Sequence, residues 1–233
     1  MREIVFDTET TGLDPITGDR LVEIGCIELV NRFPTGNTFH RYINPERDMP
    51  EGAFKVHGLS IEFLKDKPLF CDVCEELLAF IGEDPLVAHN AMFDLGFLNA
   101  ELQRAGKGAV SRDRLVDTLL LARRKHPGGA NRLDDLCVRY KIDNSRRTKH
   151  GALLDAELLA EVYVELIGAR QALLGLAQTS SGGDGRRPVV SVSVRMVALP
   201  PRVTEEELAA HRSFIATLGE NAIWRKYQPP AAD

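Results

Sequence analysis

A single α/β domain, one mixed β-sheet with helices packed on its faces, is the architecture predicted by the first 170 residues. Two observations carry that expectation. Three extended apolar segments follow one another near the N-terminus, and after them short apolar runs alternate with stretches of helical periodicity. A third observation closes the domain: Gln178-Thr179-Ser180-Ser181-Gly182-Gly183-Asp184-Gly185 has the composition of a flexible linker.

The elements follow in order. Ile4-Val5-Phe6 opens the first strand, Leu21 to Val30 forms the second and Phe39 to Ile43 the third, with Pro34-Thr35-Gly36-Asn37 as the turn between the last two. Ser60 caps a short helix, and Val73, Leu77, Leu78 and Ile81 are spaced for another. Leu86-Val87-Ala88 reads as a buried strand, Phe93 to Ala105 as a helix stopped by Gly106, and Arg114 to Val116 as a strand. A helix starts at Asn131-Arg132-Leu133 and runs to about Tyr140; a longer one covers Ala152 to Ile167, with Leu154, Leu158, Val162 and Leu166 on a stripe.

Residues 171–188 then connect to a tail, residues 189–233, too short to bury a dependable core alone. In it Val189 to Val197 alternates like a strand. Thr204-Glu205-Glu206-Glu207 begins an amphipathic helix to about Leu218 with a Thr-x-x-Glu capping box. Trp224, the only tryptophan, is an aromatic anchor of the kind that docks on a partner.

Composition narrows the class. Hydrophobic residues make up 44% and charged residues 27%, and no stretch approaches the roughly 18 apolar residues that span a bilayer. Met1-Arg2-Glu3-Ile4 leads into a strand without a signal-peptide layout, so a cytoplasmic location is expected. Four cysteines are too few for a disulfide scaffold; Cys71-x-x-Cys74 lacks a second ligand pair for zinc and a thioredoxin-like context, and reads as helix. The net charge of −5 conceals a basic block, residues 104–149, with 13 basic and 5 acidic side chains. It includes Arg123-Arg124-Lys125-His126 and Arg146-Arg147-Thr148-Lys149-His150, and its position points to a phosphate-backbone contact surface.

Five residues carry the chemistry. Asp7 and Glu9 lie two apart on a strand, so they project from one face and together can share a hard cation. Asp94 stands in the first turn of the helix behind the second apolar run, where the helix dipole favours it. Asp155 precedes Leu158, Leu159 and Val162 by three, four and seven residues and therefore points with the apolar stripe, where an unpaired carboxylate is costly. His150 falls just before that helix, separated from it by Gly151.

Asp7-Thr8-Glu9-Thr10-Thr11-Gly12, Asn90-Ala91-x-Phe93-Asp94 and His150-x4-Asp155 together resemble the three motifs of the DEDDh exonucleases, and His57-Gly58-Leu59 and Asp143-Asn144-Ser145-x-Arg147 extend the likeness. The resemblance is to the polymerase-associated proofreading members and covers essentially the whole chain. It implies an RNase H-like fold in which Asp7, Glu9, Asp94 and Asp155 hold two Mg²⁺ or Mn²⁺ ions, which lower the pKa of a water and stabilise the leaving 3′ oxygen. His150 would be the general base. Thr8, Thr10, Thr11, Gly12, Leu13, His57, Asn90 and Phe93 would bind the terminal nucleotide, and His89 would shape the site. Family members often carry a glutamate shortly before the histidine at position 57; Glu51 is displaced from that pattern by one residue.

The implied partners are a DNA 3′ end, single-stranded or frayed, the polymerase subunit through residues 189–233, and the sliding clamp through Gln171-Ala172-Leu173-Leu174-Gly175-Leu176. The resemblance leaves room for a small accessory subunit on the nuclease domain. The alternative is a DEDDh nuclease acting on RNA or short oligonucleotides, because the same five residues serve either polymer.

Overall fold

The computed structural model describes residues 1–147, 149–168, 203–219 and 223–224. It divides into two compact units, residues 1–176 and 177–233. The expected strand Val189 to Val197, the linker Gln178 to Gly185 and the segment Gln171 to Leu176 lie outside the described residues.

In the first unit, β1 (Arg2–Thr10), β2 (Leu21–Val30) and β3 (Phe33–Tyr42) form an antiparallel meander. Helices α1 (Glu51–His57), α2 (Ile61–Leu64) and α3 (Phe70–Ile81) follow, then β4 (Leu86–Ala88), α4 (Ala91–Arg104), β5 (Leu115–Asp117), α5 (Thr118–Lys125), α6 (Leu133–Tyr140) and α7 (Ala152–Leu166). The sheet order is β3-β2-β1-β4-β5, with β4 parallel to both β1 and β5. This is the RNase H-like arrangement.

Strand alternation explains the two cores. Ile4 and Phe6 of β1 face one layer, packed with Phe39, Leu77, Phe97 and Leu98; Val5 faces the other, packed with Leu136, Ala156, Leu159 and Val162. Asp7 and Glu9 share the parity of Val5 and so look toward the α6–α7 layer, while Thr8 looks toward α4.

The turn before β3 and the helix count differ from expectation, and the reading of the cysteine pair does not. Residues 34–37 do not turn the chain; Asn31 and Arg32, both in the left-handed conformation, do so, and β3 begins at Phe33. Pairing jumps from Ile27↔Thr38 to Leu29↔Pro34, so Thr35, Gly36 and Asn37 bulge opposite Glu28, and Thr35 Oγ1 bonds Glu28 at 2.6 Å. Pro34 is tolerated because β3 is an edge strand. Helices α1 and α5 were not anticipated. In α3, Cys74 is buried and Cys71 exposed, so the two thiols serve as ordinary helix residues.

In the second unit, α8 (Glu205–Thr217) starts at Thr204, whose side chain and that of Glu207 cap each other's backbone amides. His211 and Trp224 meet edge to face at 6.3 Å. Among the described residues no helix is long and apolar enough to cross a membrane.

Candidate active site

The acidic residues reach one place by three routes. β4 stops at Ala88, leaving the Thr8 amide of β1 without a strand partner; Asp94, in the first turn of α4, takes it at 3.1 Å and the Thr8 hydroxyl at 2.7 Å. α7 brings Asp155 to the same end of β1. The approach depends on Gly25, which pairs with Asp7 in the sheet: a Cβ there would lie 2.4 Å from backbone atoms of Leu153 at the start of α7. Asp7, Glu9, Asp94, His150 and Asp155, with Thr8, Asn90 and Phe93, line one cleft of about 700 Å³.

Asp155 is only 2% exposed and is met by Arg147, whose Nε and Nη2 donate to its two oxygens at 2.6 and 2.7 Å. Arg147 also donates to Asp134 at 2.6 Å and to His150 Nδ1 at 2.6 Å. The same imidazole nitrogen lies 3.1 Å from Asp155 Oδ2. It serves one partner at a time: as acceptor from Arg147 it leaves the proton on Nε2, whereas as donor to Asp155 it frees the Nε2 lone pair. The His150 amide donates to the Val56 carbonyl at 3.3 Å, tying this loop to α1.

A second cavity, about 550 Å³ and mostly apolar, adjoins the cleft and shares Thr8, Glu9 and Phe93 with it; Thr10 to Leu13, Val56 and His57 complete it. His57 accepts the Leu59 amide on Nδ1 at 3.0 Å, so its neutral ring carries the proton on Nε2, which is buried with only the Thr10 backbone near it and no well-formed hydrogen bond. Such a donor is fitted to a ligand oxygen. Thr10 and Thr11 line the wall, but their hydroxyls are engaged within the loop: Thr10 donates to the Gly12 carbonyl at 2.6 Å, and Thr11 accepts the Arg20 amide at 3.0 Å. Gly12 leaves room for the Asp19 carboxylate, which a Cβ there would meet at 2.1 Å and displace. Glu51 lines neither space; it pairs with Lys55 beside a separate depression.

The exonuclease family model matches residues 4–163. DNA polymerase III subunit epsilon of Rickettsia felis is 48% identical, over 95% of this chain and 99% of that one. The epsilon subunit of Escherichia coli strain K12 is 41% identical, over 96% and 97%. The chain belongs to the DNA polymerase III epsilon family of exonucleases. Among solved structures, the nuclease domain of 3′hExo, a DEDDh family member bound to rAMP, matches with TM-score 0.63 at 16% identity, over 72% of this chain and 92% of that one. Exonuclease X in complex with 5′ overhanging duplex DNA matches with TM-score 0.57 at 24% identity, over 72% and 92%. Both share the fold of the epsilon family.

DEDDh exonucleases depend on divalent metal, and the donor set here fits it. Oxygen atoms of Glu9 and Asp155 and a nitrogen of His150 all lie within 4.8 Å of one another. Burial, then the charges of Asp94, Glu9 and Asp155, pushes the Asp7 carboxyl well above its ordinary range. Glu9 is pushed to about 8 by burial, then by Asp155 and Glu23; Asp94 is pushed to about 7 by burial, against the pull of the Thr8 hydrogen bonds. Burial acts on Asp155 as well, but the hydrogen bonds from His150 and Arg147 outweigh it and hold its carboxyl low. One guanidinium cannot neutralise four clustered acids; hard cations can.

Gly25 escapes the sequence reading, and Arg147, read there as part of a phosphate-contact block and a motif, instead holds Asp155 and Asp134. Gly25 and Arg147 are central to the geometry, and the basic block splits by direction. Arg123 lines the cleft, Arg124 faces a groove behind α5, and Lys125 caps the Glu165 and Leu166 carbonyls at the end of α7. His89 Nδ1 and Thr118 Oγ1 are hydrogen-bonded at 2.9 Å, which fixes the ring in the cleft wall. Burial depresses the His89 pKa.

Proposed function

We propose that this chain is a proofreading 3′-to-5′ exonuclease that removes 5′-mononucleotides from the 3′ end of DNA within a bacterial DNA polymerase III. The observation that carries this reading is the convergence of four carboxylates and a histidine in one cleft, in a chain matching epsilon subunits along almost its whole length. Asp7, Glu9, Asp94 and Asp155 would hold two divalent cations, Mg²⁺ or Mn²⁺. When bound, such ions supply a water of lowered pKa and neutralise the charge that builds on the phosphate and the leaving oxygen.

The chain's own groups do the rest. The apolar cavity takes the terminal base between Phe93, Val56 and Leu13, and His57 Nε2 donates to the sugar end of that nucleotide. His150 removes the water's proton in the tautomer that donates to Asp155 and leaves Nε2 free. Residues 1–170 form the nuclease domain, residues 171–188 the clamp-binding peptide and linker, and residues 189–233 the part that binds the polymerase alpha subunit.

The test uses the full chain with 5′-labelled single-stranded DNA and, in parallel, RNA of the same sequence, with Mn²⁺ or with EDTA. Stepwise shortening of DNA from the 3′ end, release of 5′-mononucleotides, and loss of both in EDTA and in Asp155→Ala are expected. Preferential degradation of RNA would replace the proofreading assignment with an RNA-processing one.

A further inference from the structure

We propose that Arg123 and Arg132 bind the phosphate one linkage inward from the one being cut, so that the site engages a strand and not an isolated nucleotide ester. The inference rests on the 3′-exonuclease reading and adds a positioning function for two residues it does not use.

Most arginines of the described residues are committed. Arg2 pairs with Glu28 and Asp84, Arg20 with Glu101, Arg47 with Asp19, and Arg147 with Asp134 and Asp155. Among the described residues Arg123 and Arg132 find no ion-pair or side-chain hydrogen-bond partner, although both line the cleft that holds the acids. A guanidinium beside four carboxylates would gain by pairing with one of them. These two are held apart, each by its own element.

Arg123 lies one helical turn beyond Leu119 on α5, and both side chains face the cleft. Arg132 precedes the first turn of α6, on a loop fixed by its own hydrogen bonds. Asn131 donates to the Gly129 carbonyl at 2.9 Å, and Arg139 donates to the Ala130 carbonyl at 3.0 Å. The cation therefore rests on a rigid base.

The order of surfaces then matches the order of groups along a strand. The apolar cavity is joined through Thr8, Glu9 and Phe93 to the acids, and the acids share their cleft with the two arginines. A base and sugar in the first place the 3′-terminal phosphodiester at the second and carry the chain on toward the third. An acidic cleft repels a polyanion; two free guanidiniums offset this and match phosphate in a two-pronged geometry.

The test is the double variant Arg123→Ala/Arg132→Ala in the full chain, assayed with Mn²⁺ on two substrates. One is a 5′-labelled single-stranded oligothymidylate; the other is the p-nitrophenyl ester of thymidine 5′-monophosphate, which has a cleavable phosphodiester and no phosphate beyond it. The ratio of kcat/KM on the strand to kcat/KM on the ester is expected to fall on the order of tenfold or more. The salt dependence of strand binding should become shallower by about 0.7 in log–log slope for each arginine lost. A strand with an uncharged methylphosphonate at the next linkage should cost the wild type a comparable factor and the double variant little more. A ratio at the wild-type value, or equal methylphosphonate penalties in both proteins, overturns the proposal. If the wild type cleaves neither substrate, the exonuclease reading itself falls.

Discussion

Glu9 and Asp94 hold their protons where carboxylates are ordinarily ionised, and this ties stability to pH in a definite direction. Their values rise from 4.5 to about 8 and from 3.8 to about 7 on folding. Without metal, the folded protein therefore binds protons more tightly than the unfolded chain. The stability this contributes is complete below about pH 4 and is lost as the pH climbs through 7 and 8. Asp155 works in the opposite sense, its contribution fading only as the pH falls below the ordinary carboxylate range. In EDTA, the melting temperature should fall between pH 5 and pH 8; Asp7→Asn should flatten the slope, and Mn²⁺ at pH 8 should restore what was lost. A melting temperature that climbs over this interval in EDTA would contradict the charge-cluster account. His150 poses a separate question, since its ring lies within coordinating reach of Glu9 and Asp155. His150→Ala should slow hydrolysis by roughly 10²-fold at neutral pH with Mn²⁺ affinity largely kept, as for loss of a general base. Isothermal titration showing weakened Mn²⁺ binding, beside an undiminished rate at saturating metal, would make it a ligand.

Among the elements, α7 and its seat on the sheet decide the geometry. Gly25→Ala puts a methyl group into the backbone of Leu153, so α7 must move outward. The strain should cost about 1–3 kcal/mol. A displacement near 1 Å should cut the rate on the order of a hundredfold. Thermal melting and kcat at saturating Mn²⁺ measure the two effects, and wild-type values for both would show that the helix has slack.

An element is legible in a sequence to the extent that it buries a regular apolar pattern. Strand β4 and helices α4 and α7 were legible because each buries an apolar run or stripe, and Asp155 was legible as the acid on such a stripe. Helix α1 was not, because His57 is its only buried residue while Phe54 and Val56 are exposed; α5 buries only Thr118 and Ala122. The turn was misplaced because Pro34 to Asn37 carries turn residues that here build a bulge, while Asn31-Arg32 turns the chain. The roles of Gly25 and Arg147 are tertiary facts: one is defined by what lies across the sheet, the other by the two acids it bridges.

At the scale of the whole molecule, hydrolysis and attachment should separate. A fragment ending at Gln178 should retain full exonuclease activity on single-stranded DNA and no longer co-purify with the polymerase. Tight binding by the fragment, or loss of hydrolysis, would reassign the tail. Within the nuclease, the two ends of the fold are stitched together over long stretches of chain: Tyr163 donates to Glu3 at 2.8 Å, and Arg32 contacts both. Three of the acids are in place by residue 94, but the fourth and the histidine arrive only with residues 150–155, on a helix that must close against the first strand. A chain still emerging from the ribosome therefore has three acids of the cleft and lacks its last wall. On the reading proposed above, hydrolysis is expected only from chains long enough to have placed that last wall, because domains fold as units.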